Sequence, residues 1–115
     1  MKHIIIGHRR SGKTTRMIEL ALIKNYKKIL IITPHIDLSK QIAGKIKEVK
    51  NQADITVCSS QNYAYNTYGH NFDLILCELV DDFTFDNIVR SFYGTQDIIR
   101  TIDIDDDCEV EVIGR

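Results

Sequence analysis

Residues 2–15 read Lys-His-Ile-Ile-Ile-Gly-His-Arg-Arg-Ser-Gly-Lys-Thr-Thr, and this stretch decides the fold. The compact β-branched run 4–6 ends at Gly7, which is typical of a short strand with both faces covered. From Lys13 to about Lys24 the apolar residues recur at helical spacing, which predicts an amphipathic helix. Its apolar face is formed by four residues: Met17, Ile18, Ala21 and Leu22. A strand, a glycine-rich loop and a helix are therefore expected in immediate succession.

The loop between this strand and this helix has the spacing of a P-loop, with Gly7, Gly12, Lys13 and Thr14 in place. Such a turn points backbone N–H groups inward at a helix amino terminus, where the helix dipole also favours an anion. Lys13 would add a positive charge for the β and γ phosphates, and the Thr14 hydroxyl is placed to ligate Mg²⁺. We therefore expect ATP or another NTP to bind with Mg²⁺. The expected phosphate-binding residues are Gly7, Arg9, Arg10, Ser11, Gly12, Lys13, Thr14 and Thr15.

The charge distribution agrees with a polyanion meeting the first half of the chain. The net charge is −1, which excludes a global basic field, but basic residues crowd the first half and acidic residues the end. Arg9 and Arg10 lie inside the loop, where a guanidinium can contact a γ phosphate. The alternative is two solvated loop charges, and the sequence leaves both interpretations open.

Strand and helix patterns alternate along the rest of the chain. Strands are predicted at 28–33, closed by Pro34, at 54–58 and at 72–79. A helix capped by Asp37 or Ser39 is predicted after Pro34, and another after Asp81 that ends near Gly94. The apolar stripe of the helix after Pro34 comprises Leu38, Ile42, Ile46 and Val49. The apolar stripe of the helix after Asp81 comprises Phe85, Ile88, Val89 and Phe92.

The alternation of strands and helices predicts the fold class. Strands joined by helices of 10–15 residues imply a mainly parallel sheet with helices on both faces. The tail alternates Ile102, Ile104 and later Val110, Val112 with acids, which suits half-exposed strands at a sheet edge. We expect one domain over residues 1–115, a three-layer α/β/α sandwich.

A second chemical element is expected at the carboxyl end of the strand over residues 72–79. A Walker B strand ends in a carboxylate that holds the magnesium shell, often with a second that orients the attacking water. These two positions read Cys77 and Glu78, so we expect Glu78 to serve either as the base or as the metal ligand. Asp73 begins the strand and is expected to be structural. Asp81 and Asp82 would cap the next helix or add a magnesium contact.

Composition excludes several classes of protein. The chain has 115 residues, 43% of them apolar and 27% charged, and no apolar run approaches the roughly 20 residues of a membrane span. The amino terminus lacks a signal-peptide core, so a cytoplasmic location and no membrane partner are expected. Cys58, Cys77 and Cys108 show neither disulfide nor zinc spacing and are expected to be reduced, mostly buried thiols.

With these pieces in order, the chain resembles P-loop NTPases of the additional-strand (RecA-like) type. It is similar to the first lobe of superfamily 2 helicases, and equally to the ATPase domain of phage terminase large subunits. The arginines of residues 7–14 resemble the terminase loop, and residues 31–42, with Thr33-Pro34 and Leu38-x-x-Gln41-Ile42, resemble helicase motif Ia. Residues 55–61 running on to 72–78 resemble motif Ib and the Walker B strand.

The resemblance implies further contacts, each with a structural alternative. Thr33, Pro34 and the turn 59–61 would lie where related motors contact a nucleic-acid backbone, or they are a strand end and helix cap. The aromatic cluster between the third and fourth strands would stack bases, or its rings cover the sheet edge. That cluster comprises Tyr63, Tyr65, Tyr68 and His70. The second lobe and arginine finger of the relatives are not expected here, and base selectivity is expected to be weak.

The motifs and their spacing lead to three candidate functions. The first is a small ATP-binding protein with slow or partner-dependent hydrolysis, in which Lys13 and Glu78 are catalytic and Thr14 and Glu78 hold metal. It would be related to helicase and terminase motor lobes, with a viral role in DNA metabolism as one option. A protein partner or further copies of the chain would complete it, in a bacterial or infected-host cytoplasm. The second is a non-enzymatic nucleotide-binding regulator that docks on a larger protein. The third is a small nucleotide kinase, which needs a lid arginine, with Arg90 and Arg100 as its candidates.

Overall fold

The computed structural model describes residues 2–7, 12–64, 71–92, 94–103 and 111–114. The strands are β1 (Lys2–Gly7), β2 (Lys28–Thr33), β3 (Asp54–Ser59), β4 (Leu74–Glu78), β5 (Asp97–Asp103) and β6 (Glu111–Gly114). The helices are α1 (Lys13–Ile23), α2 (Ile36–Lys47) and α3 (Asp82–Ser91). The predicted strands and helices up to residue 92 are confirmed to within a few residues at each end.

The strands form one sheet with the order β3-β2-β4-β5-β1-β6. The first five are mutually parallel, and β6 pairs antiparallel with β1 at the edge. The expectation of a mainly parallel α/β sheet is confirmed. In this order β5 lies between β1, which precedes the predicted phosphate loop, and β4, the predicted Walker B strand.

Helices cover both faces of the sheet because the central strands are apolar on both sides. On one face Met17 and Ala21 of α1 and Ile42 of α2 pack with Leu74 and Leu76 of β4. On the other face, Phe85 and Ile88 of α3 pack with Ile75 and Cys77 of the same strand. The described residues are thus compatible with the predicted three-layer sandwich.

Two carboxylates fix the edge of the sheet at which the parallel strands begin. Asp73 accepts hydrogen bonds from the backbone N–H groups of Lys27 (2.8 Å) and Lys28 (3.3 Å), which confirms that it is structural. Asp97, 1% exposed, accepts from the Tyr26 hydroxyl at 2.6 Å and from Lys24 Nζ at 3.0 Å. Both contacts join β-strand starts to the chain around the end of α1.

The sequence expectations were wrong at three places. Ile102 belongs to β5, which is internal and not an edge strand, although β6 does form an edge. Val49 lies beyond the end of α2 and is 68% exposed, so it does not continue the apolar stripe. Neither Asp37 nor Ser39 caps α2, because both lie inside the helix and its N-cap is His35. Ile104 and Val110 lie outside the described residues.

Candidate functional site

The carboxyl ends of the five parallel strands meet at one edge of the sheet, where open α/β sheets place their ligands. β1 ends there at Gly7, which pairs with Asp103 of β5. β4 ends there at Glu78, which pairs with Thr101 of β5. α1 begins at the same edge, so the fold brings the described ends of the predicted loop, Gly7 and Gly12, to the edge that holds the predicted acidic residue.

The first turn of α1 is built around a left-handed glycine. Gly12 is the N-cap residue and has φ +87° and ψ 16°, a conformation that costs free energy for any residue with a Cβ. Its carbonyl accepts the first helical hydrogen bond from Arg16 N at 2.9 Å. Lys13 follows and is only 5% exposed, whereas Thr14 is half-buried and Thr15 is exposed. The side chains beside the helix start are therefore a buried cation and a hydroxyl.

The Thr14 hydroxyl donates a hydrogen bond to Glu78 Oε1 at 2.9 Å, across 64 positions of sequence. Glu78 is 3% exposed, so its carboxylate is buried at the sheet edge beneath the start of α1. Hydrogen bonds to a carboxylate are stronger than those between neutral groups, so this contact holds the strand end and the helix start together. The two residues that it joins are the pair that the sequence predicted to bind metal.

Glu78 faces α1 and Cys77 does not. Side chains alternate along a strand, and Leu74 and Leu76 pack on the α1 and α2 face while Ile75 and Cys77 pack on the α3 face. Cys77 is fully buried in that second core. The sequence pattern placed Cys77 at the position of the Walker B aspartate, but the residue that touches the loop threonine is Glu78.

Several expected site residues lie outside the described residues, namely Arg9, Arg10 and Ser11. Gly7 is described as the last residue of β1. Among the described residues, no three His, Cys, Asp or Glu side chains group closely enough to hold a metal ion by themselves. A cation at Thr14 and Glu78 would therefore need further ligands from water or phosphate, as Mg²⁺ in nucleotide sites does.

The Thr-Pro segment has a structural network at its start. The Thr33 hydroxyl is fully buried, lies 2.9 Å from Ser39 Oγ and donates to the carbonyl of His35. Ser39 Oγ in turn donates to the Cys58 carbonyl at 3.0 Å. Thr33 thus joins the end of β2 to α2 and β3, which favours the strand-end interpretation over nucleic-acid contact for this residue.

The turn after β3 is tied to the same strand end. Ser60 N donates to the Thr33 carbonyl at 2.7 Å, and Gln61 is exposed. Tyr63 is half-buried against the core under α3, as the sheet-covering alternative requires, and burial raises its pKa. Tyr65, Tyr68 and His70 lie outside the described residues, so base stacking by them stays a prediction.

The segment after β4 is held by two residues whose roles the sequence did not reveal. Asp81 caps α3 by accepting from Thr84 N at 2.8 Å, as the capping alternative expects, whereas Asp82 lies inside the helix and does not cap it. Thr101 Oγ1 accepts from Leu79 N at 3.1 Å, and Arg100 donates to Asp82 Oδ1 at 2.6 Å. The available signal was a pair of polar residues, Arg100 and Thr101, inside the β-branched run 97–103.

The cysteines are thiols in the part of the chain that is described. Cys58 and Cys77 are both buried and free, as expected, and Cys108 lies outside the described residues. Burial raises the pKa of Cys58 to about 11. Burial also raises the pKa of Cys77 to about 12, although Arg100 nearby opposes this. Neither side chain has the character of a nucleophile or metal ligand at neutral pH.

Comparisons with protein-family models, with curated proteins and with solved structures found no match. No helix in the described ranges is long and apolar enough to cross a bilayer. The function of the site therefore has to be inferred from its own residues and from the resemblance of its motifs.

Proposed function

We propose that this chain is a P-loop nucleotide-binding domain of the additional-strand (RecA-like) type, which binds ATP or another NTP with Mg²⁺. The hydrogen bond between Thr14 and Glu78 carries the proposal. In P-loop NTPases the magnesium ion is held by the loop threonine or serine together with an acidic residue at the end of the Walker B strand. A bare lysine-containing turn gives no reason for these two residues to meet.

The donor set fits the magnesium ion of such a complex. Thr14 offers a hydroxyl and Glu78 a carboxylate, and oxygen ligands are those that Mg²⁺ prefers. The protein would supply only one carboxylate and one hydroxyl to the coordination shell. This suits Mg²⁺, which retains several water ligands and takes phosphate oxygens as further ligands. When bound, the ion would neutralise charge on the β and γ phosphates.

The start of α1 fits the phosphates. Its first turn reads Lys13-Thr14-Thr15 and carries no acidic residue, and its N-cap is a glycine. The N–H groups of a helix start and its dipole both favour an anion. Lys13 places a cation at the same point, so charge neutralisation and backbone donors would act together on one polyanionic group.

The sheet order supports the RecA-like type. One strand, β5, separates β1 from β4, and this inserted strand is what the additional-strand type is named for. The site then spans three adjacent strands: β1 ends at Gly7, β4 ends at Glu78, and β5 lies between them with Thr101 beside Glu78. A relationship to helicase and terminase motor lobes rests on this order and on the motif resemblance.

Slow or partner-dependent hydrolysis is the enzymatic form of the proposal. Glu78 is engaged by Thr14, which favours a metal-holding role over that of the base that orients water. The next residue along the chain is Leu79, which has no group to accept a proton. A base or an arginine supplied by a partner, or by a second copy of the chain, would then be needed for fast turnover.

The same observations favour a second function, a non-enzymatic regulator that binds nucleotide as a structural ligand. A nucleotide kinase is less well supported. Arg100 is 7% exposed on the α3 face, where it donates to Asp82 and to the Val80 carbonyl, so it cannot close over a phosphate at Thr14. Arg90 is exposed on α3, which covers that same face.

The Lys13→Ala variant tests nucleotide binding. Losing a buried partner of a charged ligand costs about 2 kcal/mol or more, so affinity for a fluorescent ATP analogue with Mg²⁺ should fall about 30-fold or more. Lys45→Ala, which removes an exposed lysine from α2, is the matched control and should bind as the unaltered protein does. Unchanged binding by Lys13→Ala would contradict the assignment.

Phosphate release then separates the two functions. Turnover of ATP by the purified protein, alone or with DNA, supports the enzymatic form. Binding without turnover under both conditions supports the regulator. The Lys13→Ala protein supplies the background rate.

A further inference from the structure

The chain leaves β4 through a strained residue directly after Glu78. Leu79 has φ +57°, the one positive φ of a non-glycine residue in the described ranges. Such a conformation persists only where neighbouring structure fixes it. Because Leu79 is bonded to Glu78, the groups that hold the exit segment 79–82 also set the end of β4.

Two adjacent residues of β5 hold this segment. The buried Thr101 accepts a hydrogen bond from Leu79 N at 3.1 Å. The guanidinium of Arg100 donates to the Val80 carbonyl at 3.2 Å and to Asp82 Oδ1 at 2.6 Å. Neighbouring residues of a strand project to opposite faces, so the segment is held from both faces of the sheet.

The surroundings of Arg100 indicate that stability alone does not explain it. Its side chain is buried and its Cζ lies 4.5 Å from the Phe85 ring centroid. Its ion-pair partner Asp82 is 89% exposed, and exposed partners of an ion pair return little free energy. The ion pair with Asp82 therefore returns little of the free energy that burying the Arg100 guanidinium costs. The geometry that Arg100 imposes on the chain explains its burial better than stability does.

We propose that Arg100 is a positioning residue for Glu78. By fixing Val80 and Asp82 from the α3 face, it holds the exit of β4 so that the Glu78 carboxylate stays against Thr14 on the other face. This inference rests on the proposed function, since the quantity that Arg100 controls is the magnesium dependence of nucleotide binding. Arg100 itself does not touch the nucleotide.

The test measures the affinity for an ATP analogue with Mg²⁺ and with EDTA, in the full chain. Mutation of a residue that orients a metal ligand without binding the metal typically lowers metal affinity 10- to 100-fold. In Arg100→Met the gain in affinity that Mg²⁺ provides should therefore shrink about tenfold, while the EDTA value stays within about twofold. Amide hydrogen exchange of Leu79 should also accelerate, which a general loss of stability would not confine to that segment.

Two further variants keep the test decisive. Asp82→Asn alters a side chain that is 89% exposed, so the fold should be kept. It should reduce the magnesium gain about threefold, a part of the Arg100 effect. Tyr26→Phe removes a buried hydrogen bond at the opposite end of β5 and should leave the gain unchanged. If Arg100→Met does not fold, Asp82→Asn decides alone.

An unchanged magnesium gain in Arg100→Met, or in Asp82→Asn where that variant decides, overturns the inference. So does an equal reduction in Tyr26→Phe, because the effect would then follow general stability. If the unaltered protein binds no nucleotide, or binds it without a magnesium dependence, the proposed function itself fails. The two failures are therefore distinguishable in one experiment.

Discussion

Replacing Glu78 with glutamine should change the affinities for magnesium-bound and metal-free ATP in opposite directions. The substitution keeps the size of the side chain and an oxygen that can accept from the Thr14 hydroxyl 2.9 Å away. It removes the negative charge from a position that is 3% exposed at the start of α1. A structural contact would tolerate this change, whereas a magnesium ligand would not.

The magnitudes follow from the burial of that charge. Loss of a buried charge from a charged contact costs about 2–3 kcal/mol, so magnesium-bound ATP should bind roughly 30- to 140-fold more weakly. Without the cation, the carboxylate repels the phosphates. Two unit charges about 8 Å apart repel by about 2 kcal/mol at an effective dielectric constant of 20, and salt reduces this to about 1 kcal/mol. Metal-free ATP should therefore bind about fivefold more tightly to Glu78→Gln.

The assay is a titration of a fluorescent ATP analogue into each protein, with Mg²⁺ and with EDTA. Glu48→Gln, which alters an exposed carboxylate after α2, is the matched control. Thermal unfolding of both variants checks that the fold is kept. Affinities that fall in parallel, or that do not move, would refute the magnesium-holding role of Glu78.

Three further predictions concern the fold. Burial acts to raise the pKa of Asp97, but the hydrogen bonds from Tyr26 and Lys24 outweigh burial and lower the pKa. Asp97 therefore stabilises the folded protein above about pH 3.9, and this stabilisation is lost as the pH falls. Tyr26→Phe should cost about 1–3 kcal/mol in urea unfolding at pH 7, and less at pH 3; an equal cost at both would contradict this. With Cys108 replaced by serine, Cys58 and Cys77 should react with a disulfide reagent at pH 8 only after unfolding. Because burial raises both thiol pKa values in the folded state, stability should also fall as the pH rises above 9.0, and native thiols that react as fast as free cysteine would contradict both statements.

Strands and helices in the first two thirds of the chain could be predicted because local chemistry determined them. β-branched runs such as residues 28–33 have few stable alternatives to a buried strand, and Pro34 sets the end. Helix caps were less predictable. Ser39 resembled a cap by residue type, but it lies within α2 and uses its hydroxyl for Thr33 and the Cys58 carbonyl, two contacts that depend on the sheet.

The position of β5 could not be predicted because its pattern resembles an edge strand. Asp97, Arg100 and Thr101 indicate exposure to water, yet all three are buried. Their polar groups are engaged by residues far along the chain, such as Tyr26 and Leu79. Polar residues in a strand indicate exposure to water only where no residue distant in sequence bonds to them. The sequence alone does not show such partners.

Of the candidate site, the sequence predicted the two residues that meet, Thr14 and Glu78, but not the face of β4 on which they meet. The loop spacing indicated Lys13 and Thr14, and the strand end indicated Glu78. The sequence could not establish which face of β4 α1 covers, so it could not assign Cys77 to the opposite core. One contact, from Thr14 to Glu78, supplied that information.

The place of β5 in the sheet also determines when β1, the strand before the proposed phosphate loop, can pair. The neighbours of β1 are β5 and β6, so residues 2–7 find their pairing partners only at 98–103 and 111–114. Contacts so distant in sequence close slowly, because the entropy of a long loop is lost before they form. During synthesis β2, β3 and β4 can assemble first, while β1 has no neighbouring strand with which to pair. A nascent chain ending after α3 would therefore leave β1 unpaired, and with it the strand on which the proposed phosphate site depends, however well its other strands had paired.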